Sequence, residues 1–336
     1  MSKRKVCLVT GGAGFIGSHV AEHLVKAGRR VVILDDLSGG YVSNVPKDAI
    51  FINGTINNVE LLENLFDVCG FDYVFHLAAY AAEGLSHFVR RFNYENNLIG
   101  SVNLINQSIL KRVKHFVFTS SIAVYGSNQL PMTESLIPKP EDPYGIAKLA
   151  VENDLETAHK LFGLDYTIFR PHNVYGERQN LADPYRNVMG IFINKCLRGE
   201  KMPIFGNGSQ TRAFSYIDDV APYIASCTEI ERARNEIFNI GADRPYPVKE
   251  IAVAVASHFG VKARIKFLKA RREVKHAYSD HTKVKSVFNI DKAVTLEEGL
   301  KRMIDWARKT SYNTFPKWPT IEIERNLPEA WKRLKS

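Results

Sequence analysis

Tyr144 and Lys148 stand four residues apart just after Pro143, a spacing that puts both side chains on one face of a helix. An ammonium beside a phenol favours the phenolate and draws the tyrosine pKa down from about 10. Such a tyrosine can take the proton from a sugar hydroxyl while hydride leaves the same carbon. Ser120 and Ser121 close the run that begins at His115, and ligands of open parallel sheets gather at such strand ends. A hydroxyl there could orient a substrate oxygen and relay its proton. Alone, a Tyr-x-x-x-Lys pair is usually a surface pair, so its meaning rests on its company.

That company includes Thr10-Gly11-Gly12-Ala13-Gly14-Phe15-Ile16-Gly17, between the apolar run Val6–Val9 and a helix-like stretch from Phe15 to Ala27 that stops at Gly28. In this spacing Gly11 permits a tight turn, Gly14 lets backbone approach a pyrophosphate, and Gly17 lets helix and strand pack closely. The helix start offers unpaired N–H groups to phosphates. Asp35 ends the next apolar run, Val31–Leu34. A carboxylate there accepts the hydroxyls of an adenosine ribose and repels a 2′-phosphate, so the expected dinucleotide is NAD rather than NADP.

These groups need a scaffold, and the first 170 residues alternate strand-like and helix-like segments. Tyr73–Leu77, His115–Ser120 and Leu164–Phe169 read as further strands, with helices over Asn93–Lys111 and Tyr144–Leu161 between them. The rhythm predicts an α/β fold with a parallel sheet covered by helices on both faces. After Arg170, prolines and glycines punctuate shorter elements. Helices are expected at Val220–Ser226, Val248–Phe259 and Leu296–Arg308, in a smaller domain beside the sheet. The expected division gives the cofactor domain residues 1–172 plus roughly 211–243, and the substrate domain 173–210 and 244–336.

Composition sets outer bounds. A chain of 336 residues, 45% hydrophobic and 24% charged, is long enough for a large core and has no signature of disorder. No apolar run nears the roughly 18 residues of a membrane span, and Val6–Val9 is too short for a secretory segment. A soluble, cytoplasmic chain with no membrane partner is therefore expected. Cys7, Cys69, Cys196 and Cys227 lie far apart, which favours free thiols over disulfides or a metal site. The net charge of +9 suits an anionic small substrate as well as nucleic acid. Its densest basic stretch, Lys262–Lys275, alternates Val261, Ala263, Ile265 and Phe267 with Lys262, Arg264 and Lys266, the pattern of a half-exposed strand. Aromatic platforms among clustered basic residues do not stand out, so no nucleic-acid partner is expected.

Taken together, Thr10–Gly17, His76-Leu-Ala-Ala79, Ser120-Ser-Ile-Ala-Val-Tyr-Gly126, Tyr144–Lys148 and Arg170-Pro-His-Asn-Val-Tyr-Gly176 resemble the extended short-chain dehydrogenase/reductases. The likeness is closest to their nucleotide-sugar epimerase/dehydratase branch, and it runs from Val6 to about Arg308. It implies a Rossmann-type domain holding NAD, a small α/β domain for a nucleoside diphosphate sugar, and a homodimer paired through the helices near 93–111 and 144–161. By the same resemblance, NAD would meet Gly11, Gly14, Phe15, Ile16, Gly17, Asp35, Ile56, the stretch Leu77, Ala78, Ala79 and Ala81, Asn96, Tyr144, Lys148 and His172. Thr55 departs from the pattern, since the family often has an aspartate there against the adenine.

On the substrate side the resemblance assigns Asn173 and Arg212 to the diphosphate, and Arg271 with Glu273 to phosphate and ribose, with Arg272 as rival to Arg271. Arginine suits this because its planar fork reaches two phosphate oxygens at once. Glu83 and Ser86 would face the sugar, and Ser121 would join Tyr144 and Lys148 in catalysis. Arg186, beside Tyr185, could pair with a hexuronate carboxylate, and small Ala277 would leave room for an N-acetyl group. Family dehydratases place an Asp-Glu pair where this chain has Ile122 and Ala123, which cannot move protons. The expected activity is thus NAD-dependent 4-epimerisation of a UDP-sugar (UDP-glucuronate, UDP-N-acetylglucosamine or UDP-glucose) through a transient 4-keto sugar. A dehydratase, decarboxylase or reductase on the same scaffold and a non-catalytic NAD-binding regulator are the alternatives.

Overall fold

The computed structural model describes residues 4–271, 273–290, 293–310 and 320–332; Arg272 lies outside them. In chain order the strands are β1 (Val6–Thr10), β2 (Arg30–Asp35), β3 (Ile50–Asn53), β4 (Tyr73–His76), β5 (His115–Thr119), β6 (Tyr166–Pro171) and β7 (Val174–Tyr175). They continue as β8 (Met202–Phe205), β9 (Thr211–Ala213), β10 (Ser215–Tyr216), β11 (Glu236–Ile240), β12 (Pro245–Pro247), β13 (Ile265–Leu268) and β14 (His276–Ala277). Seven form one sheet in the order β11-β6-β5-β4-β1-β2-β3, every neighbouring pair parallel. The chain winds outward from β1 in one direction and then from β4 in the other. Between those two strands the crossovers part, which is where a sheet of this kind opens a crevice.

Alternation along each strand feeds two cores. Cys7, Val9, Val31, Ile33 and Phe75 face one side, against Val20, Ala21 and Leu24 of the helix Phe15–Lys26. Val6, Leu8, Val32, Leu34 and Val74 face the other, against the helices Val59–Cys69, Gly100–Leu110 and Pro143–Phe162. A strand buried on both faces reads as an unbroken apolar run, which is why β1 and β2 stand out in the sequence. The half-exposed edge strand β3, the helix Val59–Cys69 and β11 are not among the expected elements. β11 joins the sheet from beyond residue 172, pairing Phe238 with Phe169.

Two other expectations need correction. The helix expected over Asn93–Lys111 begins at Arg90 and runs through a π-helical turn at Glu95–Ile99 before continuing as Gly100–Leu110. In the basic stretch the strand is shorter than expected: β13 pairs in parallel with β8, and Phe267, expected to face inward, is 53% exposed. The four cysteines are free thiols. Among the described residues, no helix is long and apolar enough to cross a membrane.

Candidate active site

At the carboxyl ends of β1 and β4 the sheet edge is pinned from within. The buried His76 ring bonds Thr10 Oγ1 at 2.7 Å through Nδ1 and Ser101 Oγ at 2.8 Å through Nε2. Burial pushes its pKa well below the ordinary value, so it serves as a neutral clamp. The glycine loop follows directly. Gly11 has φ +70°, and a Cβ there would lie 2.6 Å from the Ala78 nitrogen. A Cβ on Gly17 would lie 2.1 Å from the Gly11 carbonyl oxygen. Gly14 precedes the helix Phe15–Lys26 in extended conformation, with no side chain capping it. The first-turn N–H groups are therefore left to a ligand, and this bare cradle fits a pyrophosphate. Asp35 lines the same cleft, its carboxylate accepting from Ala13 N–H at 3.0 Å and Leu37 N–H at 2.8 Å. Burial raises its pKa somewhat, and these amide bonds oppose the rise.

The cleft encloses about 1550 Å³ and runs from the glycine loop to the small sheet of β8 and β13. Typical small-molecule sites measure about 300–1,000 Å³, so this one has room for two ligands end to end. Among the described residues, every one expected at the cofactor lines it except His172, and every one expected at the substrate lines it except Ser86 and Ala277. His172 is buried behind the wall, its Nδ1 on the Ala213 carbonyl at 3.1 Å and its Nε2 on His281 at 3.0 Å. Burial holds its pKa down near 3, so the ring sits there neutral. Ser86 is fully buried and donates to the Glu83 carbonyl at 2.6 Å, tying a turn instead of facing a sugar. Ala277 likewise packs among Ile122, Val124, Tyr125 and Met132.

At mid-cleft the Pro143–Phe162 helix starts on an Asp142 cap, which accepts from Gly145 N–H at 2.9 Å. Pro143 in the first turn suits that start, and Tyr144 and Lys148 follow on the buried face. Tyr144 is 7% exposed, and the nearby Ser121 hydroxyl favours its ionised form. The other serine is committed elsewhere, since Ser120 donates to Glu152 at 2.5 Å. Glu152 also holds Arg170 in a fully buried ion pair, and Arg170 donates to Tyr125 at 2.7 Å. The tyrosine itself departs from expectation: its pKa lies above the ordinary value. Burial is the main cause, and the nearby carboxylates of Asp142 and Glu83 add to it. Lys148 stands 5.8 Å from the centre of the Tyr144 ring, its ammonium donating to the Thr119 carbonyl at 2.8 Å, and burial brings its own pKa down to about 7.

Toward β8 the lining becomes charged. Arg212 donates to the carbonyls of Thr211 at 2.9 Å, Lys275 at 3.0 Å and Val274 at 2.5 Å, which leaves part of its fork for a ligand. Arg271 pairs with Glu273 at 3.0 Å, and Arg212 stands 4.0 Å from the same carboxylate. Glu83 faces both arginines, and burial raises its carboxyl pKa. Arg186 is bound by Asp183 and lies 5.4 Å from the centre of the Tyr80 ring. Asn173, at φ +39°, donates to the Ala213 carbonyl at 3.2 Å. Sequence reasoning missed Asp142, Asp183 and Glu152. The first two carry ordinary signals, an acid ahead of a helix and an i, i+3 acid–arginine spacing, whereas Glu152 is marked only by lying one turn past Lys148.

Comparison with known proteins accords with this geometry. Residues 7–241 match the model of the NAD dependent epimerase/dehydratase family. A Thermotoga maritima UDP-glucose 4-epimerase solved with UDP-glucose is 39% identical, with TM-score 0.84, over 90% of this chain and 99% of its own. A Bacillus cereus UDP-glucuronic acid 4-epimerase, solved with UDP-glucuronic acid and NAD, is 30% identical at TM-score 0.83, over 90% of this chain and 99% of its own. A UDP-N-acetyl-alpha-D-glucosaminuronate decarboxylase of Bacillus cytotoxicus is 32% identical over 91% of this chain and 98% of its own. With its Rossmann-type sheet, bare glycine cradle and Asp35 edge, the chain belongs to the NAD-dependent epimerase/dehydratase family and is an NAD-dependent enzyme.

Proposed function

We propose that this enzyme is a UDP-sugar 4-epimerase, with UDP-glucuronate and UDP-N-acetylglucosamine ahead of UDP-glucose as substrates. One observation carries the reading: Tyr144 and Ser121 meet at the sheet edge, and the neighbouring positions Ile122 and Ala123 offer no second acid–base pair. The glycine loop and Asp35 would hold NAD, which when bound would supply reversible hydride transfer at C4 of the sugar. Tyr144 takes the C4 hydroxyl proton and gives it back on the other face, with Ser121 orienting that oxygen. Lys148 holds the strand end through Thr119 and shares its proton with the site near neutral pH. Arg212, Arg271 and Asn173 bind the diphosphate, and Arg186 turns its remaining donors to a uronate carboxylate. Residues 1–172 with about 211–243 carry the cofactor, and 173–210 with 244–336 carry the sugar nucleotide.

The same reading includes a homodimer. Ile99 (51% exposed), Leu110 (69%), Ile146 (43%) and Leu161 (71%) are apolar residues left in the open on the two helices concerned. The relative that decarboxylates favours a second reading, since a 4-keto uronate is a β-keto acid that can lose CO₂. Incubation with UDP-glucose, UDP-N-acetylglucosamine and UDP-glucuronate, with separation of products, tests both. The expected outcome is interconversion of C4 epimers without net NADH. Release of CO₂ identifies a decarboxylase, and no product from any of the three sinks the proposal.

A further inference from the structure

The sequence resemblance ends near Arg308, and the solved UDP-glucose 4-epimerase takes in only 90% of this chain while 99% of its own is covered. The segment Thr320–Lys332 lies past that point, yet it returns to the cleft. Its Glu322 carboxylate accepts from the N–H groups of Arg91 at 2.8 Å and Phe92 at 2.9 Å, and its own N–H donates to the Phe88 carbonyl at 2.8 Å. Anchored there, the chain passes Leu327, 4% exposed, and ends its course in the turn of helix Glu329–Lys332.

That turn carries Trp331, also 4% exposed and part of the cleft lining. Its ring meets Tyr185 at 5.3 Å, Phe205 at 6.0 Å and Phe88 at 6.1 Å, all edge-on. The Arg271 guanidinium sits between two of these rings, 4.5 Å from the centre of Phe205 and 5.4 Å from that of Trp331. A cation held against aromatic faces keeps its charge while losing its freedom. Gly84 marks how close the fit is: a Cβ there would lie 3.3 Å from an Arg271 nitrogen and 3.4 Å from the indole.

We propose that Trp331 is a positioning residue of the substrate subsite, which fixes Arg271 against Phe205 so that its guanidinium presents its free edge to the diphosphate of a nucleotide sugar. The inference rests on the sugar-nucleotide reading of this cleft. In this protein the subsite is thus completed by a segment that lies past the stretch carrying the family resemblance.

The test uses the full-length enzyme with Trp331→Ala, Trp331→Phe, Arg271→Ala and the double variant Trp331→Ala/Arg271→Ala. UDP binding by calorimetry, bound NAD and steady-state kinetics are measured together. Trp331→Ala should weaken UDP binding and raise KM about tenfold, with kcat within about threefold and NAD content unchanged. Trp331→Phe, which keeps a ring beside Arg271, should recover most of the loss. Because the two residues act through one contact, the double variant should bind UDP no worse than Arg271→Ala. Equal UDP affinity in wild type and Trp331→Ala overturns this inference alone. Additive losses in the double variant, or loss of NAD and folding in both Trp331 variants, also overturn it by assigning Trp331 a general packing role. A wild-type protein that does not bind UDP overturns the underlying reading as well.

Discussion

One end of the cleft is lined by backbone: glycines without side chains, a helix start without a cap, and one carboxylate at a strand end. The other end, where the sugar nucleotide is proposed to bind, is lined by long charged side chains, Glu83, Arg186, Arg212, Arg271 and Glu273, several of them already engaged with one another. Backbone chemistry is fixed by the fold and tolerates almost no change of residue. Side-chain chemistry can be retuned one position at a time. Such a division suits a family whose members share NAD while differing in the sugar.

The largest effect is expected where the two ends meet. Tyr144→Phe removes one oxygen and should lower turnover by about 10²–10⁴-fold while NAD stays bound and the melting temperature holds. A rate near that of the wild type would remove Tyr144 from the chemistry. Next comes Gly11→Ala, whose Cβ would press on Ala78 in a left-handed backbone. About 2–4 kcal/mol of stability and most bound NAD should be lost, as read by thermal melting and cofactor absorbance. Retained NAD would mean that this end is less rigid than its geometry implies.

A smaller, selective effect belongs to the substrate end. Arg186→Ala should raise KM about tenfold for UDP-glucuronate and leave UDP-glucose nearly unchanged, a charged contact being worth about 1.5–3 kcal/mol. If both substrates respond alike, Arg186 reads no carboxylate. The smallest concerns Asp142, whose carboxyl pKa is raised, first by burial and then by Glu83. A raised acid is stabilising in its protonated form, so its contribution is whole below the unfolded pKa of about 4 and fades as pH rises through the folded value. Asp142→Asn keeps the helix cap and should therefore gain about 1 kcal/mol at pH 8 and nothing at pH 4. Melting curves at the two pH values decide it, and a gain of equal size at both would exclude titration of this group.

The contrast between the ends also explains what could be read in advance. Gly11, Gly14, Gly17 and Asp35 are close in sequence and local in purpose, and the doubly buried strands beside them announce themselves by composition. The residues alone leave Ser120 and Ser121 open, the family resemblance assigns Ser121, and the coordinates add that Ser120 is committed to Glu152. The side chains of His172 and Ser86 turn from the cleft because a motif fixes the backbone position and not the side on which a side chain leaves it. The tyrosine pKa was misjudged for another reason. Spacing along a helix shows Lys148 near Tyr144, but not that its ammonium is committed to Thr119, nor that Glu83 and Asp142 stand close by. Trp331 had no signal at all, being far along the chain from Tyr185, Phe205 and Arg271.

The π-helical turn at Glu95–Ile99 bears on how this gene can change length. A turn of this kind holds one residue more than an α-helix would. Just before it, Asn93 donates to the Pro143 carbonyl at 2.9 Å, and within it Asn97 donates to Asn93 at 2.8 Å and accepts from Tyr80 N–H at 2.7 Å. Deleting a single codon here would restore a regular helix, yet swing Asn93 by about 100° relative to all that follows. By contrast, a side-chain carbon built on Gly28, Gly163 or Gly260 meets nothing within 4 Å, so the loops there have space for inserted residues. Within this lineage, insertions and deletions should therefore gather at those glycine corners and be absent from the five residues that follow Tyr94.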